Sequence, residues 1–248
     1  MLQTIEDTAP SKKGNGLHYA FIICLGGFLT QAIVLSCQRL PAVALEPIRQ
    51  TLGVSYADVG LITSVFMIFY AGLSIVWGML GDKIGTRWAM TIACGLASIG
   101  ALLFGFFAQY GLPVAIGTWA IAGVGTAGLL MAILPKIVSR WFAPHRRGFG
   151  MSLITPGANF SAIILGIIAP LIIGAMGWQW TYVIFGIVFA VITVFVAAFF
   201  REGPEEKGLA PYGAPAGTQA APAPKLEDQK SGKVGAGEAL KRVLKMPI

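Results

Sequence analysis

Charged side chains are scarce in this 248-residue chain, where Asp, Glu, Lys and Arg together make up 12% of the residues. A soluble domain carries about twice that fraction. The charges leave six stretches without any Lys, Arg, Asp or Glu, each 21 to 26 residues long: 17–38, 59–80, 88–108, 112–134, 149–174 and 180–200. Each stretch is long enough to cross a bilayer as a helix, because the hydrocarbon core takes ~20 helical residues. The sequence therefore predicts an all-α membrane protein with six transmembrane helices.

The low charge and the long apolar runs exclude several classes of protein. A water-soluble enzyme and a nucleic-acid-binding domain are both excluded, so the net charge of +7 is no sign of a nucleic-acid partner. Continuous apolar runs, rather than alternating ones, also exclude a porin-like barrel. The first run is not a cleavable signal, because a polar segment precedes it and five more runs follow.

Reactive side chains are also few. The two histidines, His18 and His145, lie at or beyond the ends of the predicted spans, and no span contains a carboxylate. The three cysteines, Cys24, Cys37 and Cys94, lie inside apolar runs and form no CxxC or Cys–His cluster, so we interpret them as packing residues. The sequence predicts no metal site, no cofactor and no catalysis, which leaves a transporter, a channel or an assembly subunit.

The distribution of basic residues predicts the topology. With six spans, both termini lie on one side, and 16 of the 18 Lys and Arg residues fall on that side. The positive-inside rule places it in the cytoplasm, so we expect a multi-pass protein of the cytoplasmic (inner) membrane. The other side has only Arg39 and Arg49.

Four regions follow along the chain. Residues 1–16 form a cytoplasmic tail and residues 17–200 the transmembrane domain. Residues 201–237 are rich in Pro, Ala and Gly and predict a flexible cytoplasmic linker. Residues 238–248 form a basic amphipathic segment, which either lies on anionic lipid of the inner leaflet or is a solvated helix leading to a seventh helix outside this sequence.

Arg39 stands out among the charges because it closes the first apolar run and is one of only two basic residues on its side. It shares a helix side with Gln31 and Gln38, which are eight and one residues before it. If the helix continues past Arg39, the guanidinium lies inside the membrane, where a charge usually has a function. A guanidinium suits a carboxylate or phosphate ligand because it offers paired N–H donors. The alternative is an arginine at the outer interface that reaches lipid headgroups.

The turn between the second and third runs carries a ten-residue motif. Its key residues are Gly78, Asp82, Lys83, Gly85 and Arg87, in the pattern G-x-x-x-D-K-x-G-x-R. This pattern resembles the cytoplasmic signature of the major facilitator superfamily. A glycine at the first position allows close helix approach, the second glycine permits a sharp turn, and the basic residues hold the loop inside.

The resemblance extends over most of residues 15–205. It implies one six-helix half of a twelve-helix fold, built from two inverted three-helix repeats. The branches that look most similar are the anion:cation symporters and the oxalate/formate-type antiporters. The resemblance implies alternating-access transport of a small organic anion, coupled to an ion or a counter-substrate.

Candidate site residues follow from the same resemblance. Arg39 falls where those symporters have a substrate-binding arginine, and Tyr70 where they have a tyrosine that lines the cavity. Gln31 and Gln38 accompany Arg39, and Trp119 stands in the fourth helix where the symporters often carry charged residues. We expect these five residues to bind substrate. At the cytoplasmic gate, the resemblance implies that the motif carboxylate Asp82 meets the N-terminal end of a helix in the second half, with Arg140 as the arginine that joins it. Within this chain, we expect Asp82 to pair with Arg140 or with its own loop.

Several alternatives stay open at this stage. Gln38 replaces an aspartate of the symporters, whereas the glycines at 157, 166 and 174 keep spacings of an antiporter motif. The chain would function with a C-terminal six-helix half or with a second copy of itself. The alternative function is that of a non-transporting membrane subunit or a truncated remnant of a transporter.

Overall fold

The computed structural model describes residues 18–215, and every regular element in that part of the chain is a helix. The predicted N-terminal tail and the basic segment at 238–248 lie outside the described residues. The α-helices are α1 Tyr19–Val43, α2 Leu45–Leu52, α3 Tyr56–Gly72, α4 Ser74–Ile84, α5 Thr86–Phe107, α6 Leu112–Thr126, α7 Leu134–Trp141, α8 Arg147–Ile154, α9 Gly157–Met176 and α10 Trp178–Phe199. A π-helix, Leu129–Ile133, joins α6 to α7, and short 3₁₀ helices cover Ala108–Tyr110, Pro144–Arg146 and Pro204–Lys207.

The helices account for all six predicted spans. Five helical stretches are long and apolar enough to cross a membrane: Tyr19–Val43, Thr86–Tyr110, Leu112–Trp141, Pro144–Met176 and Trp178–Phe199. The remaining span, predicted at 59–80, is divided between α3 and α4, which are separated by Leu73. The amphipathic helix α2 bends 116° away from α3 and so does not extend that span. The all-α membrane fold is confirmed.

Three of the contacts between spans are related to one another as in an inverted repeat. Span one packs on span five (α1 on α9), span two on span four (α3 on α6) and span three on span six (α5 on α10). An operation that exchanges spans one to three with spans four to six converts the first pair into the second and leaves the third unchanged. Because spans one and four cross the membrane in opposite directions, the axis of this operation lies in the membrane plane.

The described part of the predicted linker, up to residue 215, packs against the ends of the spans. Tyr212 forms a short bridge to the end of α7: its backbone N–H donates to the Trp141 carbonyl (2.8 Å), and its carbonyl accepts from Ala143 (3.1 Å). The prediction of a flexible segment falls mainly on residues 216–237, which lie outside the described part of the chain.

Candidate functional site

Arg39 lies inside the first span. Helix α1 continues past it through Pro41 to Val43, which meets the condition under which the guanidinium lies inside the span. Side chains on a helix lean towards its N-terminus, which directs the guanidinium back towards the middle of the membrane. There its Nη1 donates a hydrogen bond to the Ala158 carbonyl of α9, at 2.8 Å.

Arg39 differs in this respect from Arg49, the second cation of the same membrane side. Arg49 forms a bidentate ion pair with Glu46, through bonds of 2.7 and 3.0 Å. The Arg49 guanidinium, together with Gln50 and Tyr56, lowers the pKa of Glu46 to about 2. The charge of Arg49 is therefore compensated, whereas no ion pair of Arg39 is present among residues 18–215.

Three of the other predicted site residues lie near Arg39 along α1 and α3. Gln31 packs against the first turn of α9, where its Cβ lies 3.2 Å from the point that a Cβ on Gly157 would occupy. Gln38 interacts with the hydroxyl of Tyr70, which connects α1 to α3. The structure thus places amide and phenol groups on the two helices beside the arginine.

Trp119 occupies a different position. Its indole is fully buried and packs against Phe66 (ring centroids 5.8 Å apart), Phe104 (5.0 Å) and Tyr182 (5.1 Å). Phe66 in turn stacks on Tyr70, at 6.2 Å. Trp119 therefore packs on the buried side of Phe66, which in turn holds the Tyr70 ring. Because Trp119 is fully buried, the structure does not favour the predicted contact between Trp119 and substrate.

A second polar region lies at the opposite end of the bundle, in the signature turn. The motif carboxylate Asp82 forms an ion pair with Lys136 of α7 (2.8 Å), and the same ammonium donates to the Gly78 carbonyl at 2.9 Å. The expectation that Asp82 pairs with Arg140 is wrong. Lys136 lies four residues, about one helical turn, before Arg140 on α7. Its ammonium therefore reaches α4, whereas the Arg140 guanidinium reaches the residues after α10.

Arg140 pairs with Glu202, just after α10, at 2.7 Å. The Glu202 carboxylate also accepts from the Arg87 backbone N–H (2.7 Å) and the Thr86 hydroxyl (2.9 Å), and so caps the N-terminus of α5. The predicted sharp turn at Gly85 is present, with φ +90°, and the carboxylate fills the space where a Cβ would lie. Glycine is required there for both reasons.

These charges line a cleft of about 540 Å³ at this end of the molecule. Arg87 also lines the cleft, and its guanidinium donates to the Ala197 carbonyl of α10. Lys83 lies on the rim. The sequence did not indicate that Lys136 and Glu202 belong to this cleft, although each lies two residues after a charge-free run, where a charge can reach neighbouring helix ends.

The fold and these two polar regions define a multi-pass helical membrane protein without a cluster of metal-binding side chains among its described residues. The family model of the Major Facilitator Superfamily matches residues 23–248. The chain therefore belongs to this superfamily of transporters.

Curated relatives and solved structures agree with this assignment. The chain is 24% identical over 165 residues to a probable sulfoacetate transporter of Cupriavidus necator, covering 66% of this chain and 38% of the relative. It is 28% identical over 169 residues to a hexuronate transporter of Bacillus subtilis, covering 66% of this chain and 38% of that relative. The proton:xylose symporter XylE has the same fold, with a TM-score of 0.67 and 15% identity over 75% of this chain and 46% of that chain. The chain thus spans less than half the length of each of these proteins.

Proposed function

We propose that this chain is the N-terminal half of a secondary transporter that carries a small organic anion across the cytoplasmic membrane by alternating access. The observation that carries the proposal is Arg39, a guanidinium inside span one whose hydrogen bond in the described residues goes to a neutral backbone carbonyl. A charge within a membrane is costly unless it is compensated. An anionic substrate would compensate it through charge-assisted hydrogen bonds.

The neighbouring groups suit a polar organic anion. Gln31, Gln38 and Tyr70 offer amide and hydroxyl groups that can bind the hydroxyls of a sugar acid or a similar molecule. Relatives named as transporters of hexuronate, D-galactonate and sulfoacetate support this class, since all three are small anions. Symport and antiport are both compatible with this arrangement.

The cytoplasmic region would act as the gate. In this proposal the Asp82–Lys136 and Arg140–Glu202 pairs hold the helix ends at the inner mouth, and both chain termini lie in the cytoplasm. The concentration of basic residues at this end supports that orientation. A C-terminal six-helix half would complete the substrate cavity. This is suggested by the match to the xylose symporter, which covers only 46% of the length of that protein.

The test is binding and uptake by Arg39 variants of this chain, each co-expressed with a matching C-terminal half. Arg39→Ala should abolish binding of galactonate, glucuronate and sulfoacetate while the protein still inserts into the membrane, and Arg39→Lys should restore little because an ammonium lacks the planar fork. Arg49→Ala is the matched control, since it removes the same charge from a site already neutralised by Glu46. Full binding by the alanine variant at position 39 would overturn the proposed site.

Reconstitution tests the role as one half. Purified chain alone should show no substrate-dependent flux in proteoliposomes, and co-expression with a matching C-terminal half should restore it. Asp82→Asn should then impair the flux, because it removes the ion pair with Lys136. Saturable, Arg39-dependent flux by the isolated chain would favour a pair of identical copies instead.

A further inference from the structure

Two neighbouring spans are broken at the same level. Span two is interrupted at Leu73, between α3 and α4, and span four at Ala127 and Gly128, between α6 and the π-helix. The two breaks touch each other: a Cβ on Gly128 would lie 2.9 Å from the carbonyl oxygen of Ser74, the first residue of α4. Breaks in membrane helices usually mark functional positions, and these two form one joint.

The break in span four requires a glycine. Gly128 has φ +73°, a conformation that L side chains rarely adopt, and a Cβ there would come within 2.7 Å of the Trp77 Cβ. After it, the backbone N–H groups of Ala132 and Ile133 both donate to the Gly128 carbonyl, at 2.8 and 3.1 Å. The second of these hydrogen bonds joins residues five apart, as in a π-helix, so the π-helix begins directly after Gly128.

Trp77 closes the joint. In an unbroken helix the Val124 carbonyl would accept from the N–H of Gly128. Here it accepts instead from the indole Nε1–H of Trp77, at 2.7 Å. A side chain of α4 thus replaces a backbone bond that span four loses, and this replacement matters because a membrane offers no water to satisfy a free carbonyl.

On the cytoplasmic side of the joint, the two segments are tied along their length. Gly78 of α4 lies close to Ala132, with 3.5 Å between the Ala132 Cβ and the position of a Cβ on Gly78. One turn further, Lys136 donates to both the Gly78 carbonyl (2.9 Å) and the Asp82 carboxylate (2.8 Å). Side-chain and backbone ties therefore connect α4 to the π-helix and α7.

We propose that residues 74–84 and 129–141 form one cytoplasmic arm, which turns as a unit on the joint at Leu73 and Gly128. The arm is held in its present position by the Trp77–Val124 hydrogen bond at the joint and by the Arg140–Glu202 ion pair at its far end. This device lies within the six-helix half itself and does not depend on the substrate proposed above. Because the arm carries Asp82, Lys136 and Arg140, its rotation moves the charged residues of the inner mouth together.

The test measures backbone hydrogen exchange in one segment of the arm after a substitution in the other segment. Hydrogen–deuterium exchange is measured on the full 248-residue chain in lipid nanodiscs. Trp77→Phe keeps the ring and removes the N–H, and it should raise exchange in peptides covering 129–141 by about tenfold, the effect of one lost hydrogen bond. Trp180→Phe on α10, whose side chain is half exposed, is the matched control and should leave 129–141 unchanged.

The reciprocal variant is Gly128→Ala, which should raise exchange in peptides covering 74–84. If this variant does not fold, the Trp77→Phe measurement still decides. An increase confined to 74–84 in Trp77→Phe, or an unchanged exchange rate in both segments, would overturn the proposal, since either result means that the segments do not move together.

Discussion

Glu202 offers the sharpest test of how the end of the bundle that carries the signature turn is held together. Its carboxylate accepts three hydrogen bonds: from the Arg140 guanidinium, the Arg87 backbone N–H and the Thr86 hydroxyl. Its side chain is 26% exposed, so it is partly shielded from water. Replacement by alanine removes all three bonds and the negative charge at the N-terminus of α5.

The expected loss follows from these contacts. An N-terminal helix cap contributes ~1 kcal/mol, and a hydrogen bond between charged groups ~1.5–3 kcal/mol when buried. Because the Arg140 pair is partly exposed, we take the low end for that bond and expect Glu202→Ala to lower the free energy of unfolding by about 2–3 kcal/mol. For a domain of this size, the melting temperature should fall by roughly 5–10 °C. Glu202→Gln keeps an acceptor oxygen and should lose about half as much.

The assay is thermal unfolding of the purified chain in detergent, followed by intrinsic tryptophan fluorescence. Glu205→Ala is the matched control, since it removes the same charge three residues further along the chain. Equal shifts for the two alanine variants would refute the reasoning, because the effect would then come from net charge rather than from the cap. An unchanged melting temperature in Glu202→Ala would refute it as well.

Three further predictions concern the same end of the molecule and the topology. Gly85→Ala should lower the free energy of unfolding by about 2 kcal/mol, because φ +90° suits only glycine and the Glu202 carboxylate fills the space for a Cβ. Chemical unfolding measures this loss, and an unchanged free energy of unfolding would contradict the prediction. Burial lowers the pKa of His18 from its ordinary value of 6.5, and its Nδ1 accepts the Ala20 N–H, so protonation opposes the folded state. Stability should be retained above pH ~6.5 and decrease as the pH falls below it, and the decrease should be smaller in His18→Gln, which a pH series of melting temperatures checks. Tyr110 and Glu206 are both exposed, so a cysteine introduced at either position can be labelled with an impermeant reagent. The cysteine at position 110 should react only from outside, and the cysteine at position 206 only from the cytoplasm. The native cysteines are buried and can stay. Labelling of both positions from one side would contradict the six-span topology.

The sequence by itself determined the spans and their order. In a bilayer each segment must satisfy its own backbone hydrogen bonds, so the length and charge of a run are enough to predict a helix. The turn at Gly85 was predictable for a similar reason, because a backbone conformation restricted to glycine is a local property. Arg39 stood out because a charge next to an apolar run is visible without any tertiary contact.

The tertiary structure decided which side chains meet. Asp82 pairs with a lysine 54 residues away, and Glu202 caps a helix that begins 116 residues before it. Such pairs depend on how each helix is rotated about its axis and how closely it approaches its neighbour, which a pattern along one segment does not contain. Rotation also places Trp119 behind Phe66 rather than at the surface near Arg39.

The breaks in spans two and four were hidden for a related reason. Both lie inside uninterrupted apolar runs, where composition predicts a straight helix. The chain can depart from the helix at Gly128 only because Trp77, from another span, supplies the hydrogen bond that the Val124 carbonyl would otherwise lack. The sequence determines where the backbone must be helical in lipid, whereas the contacts between helices determine where it is allowed to stop.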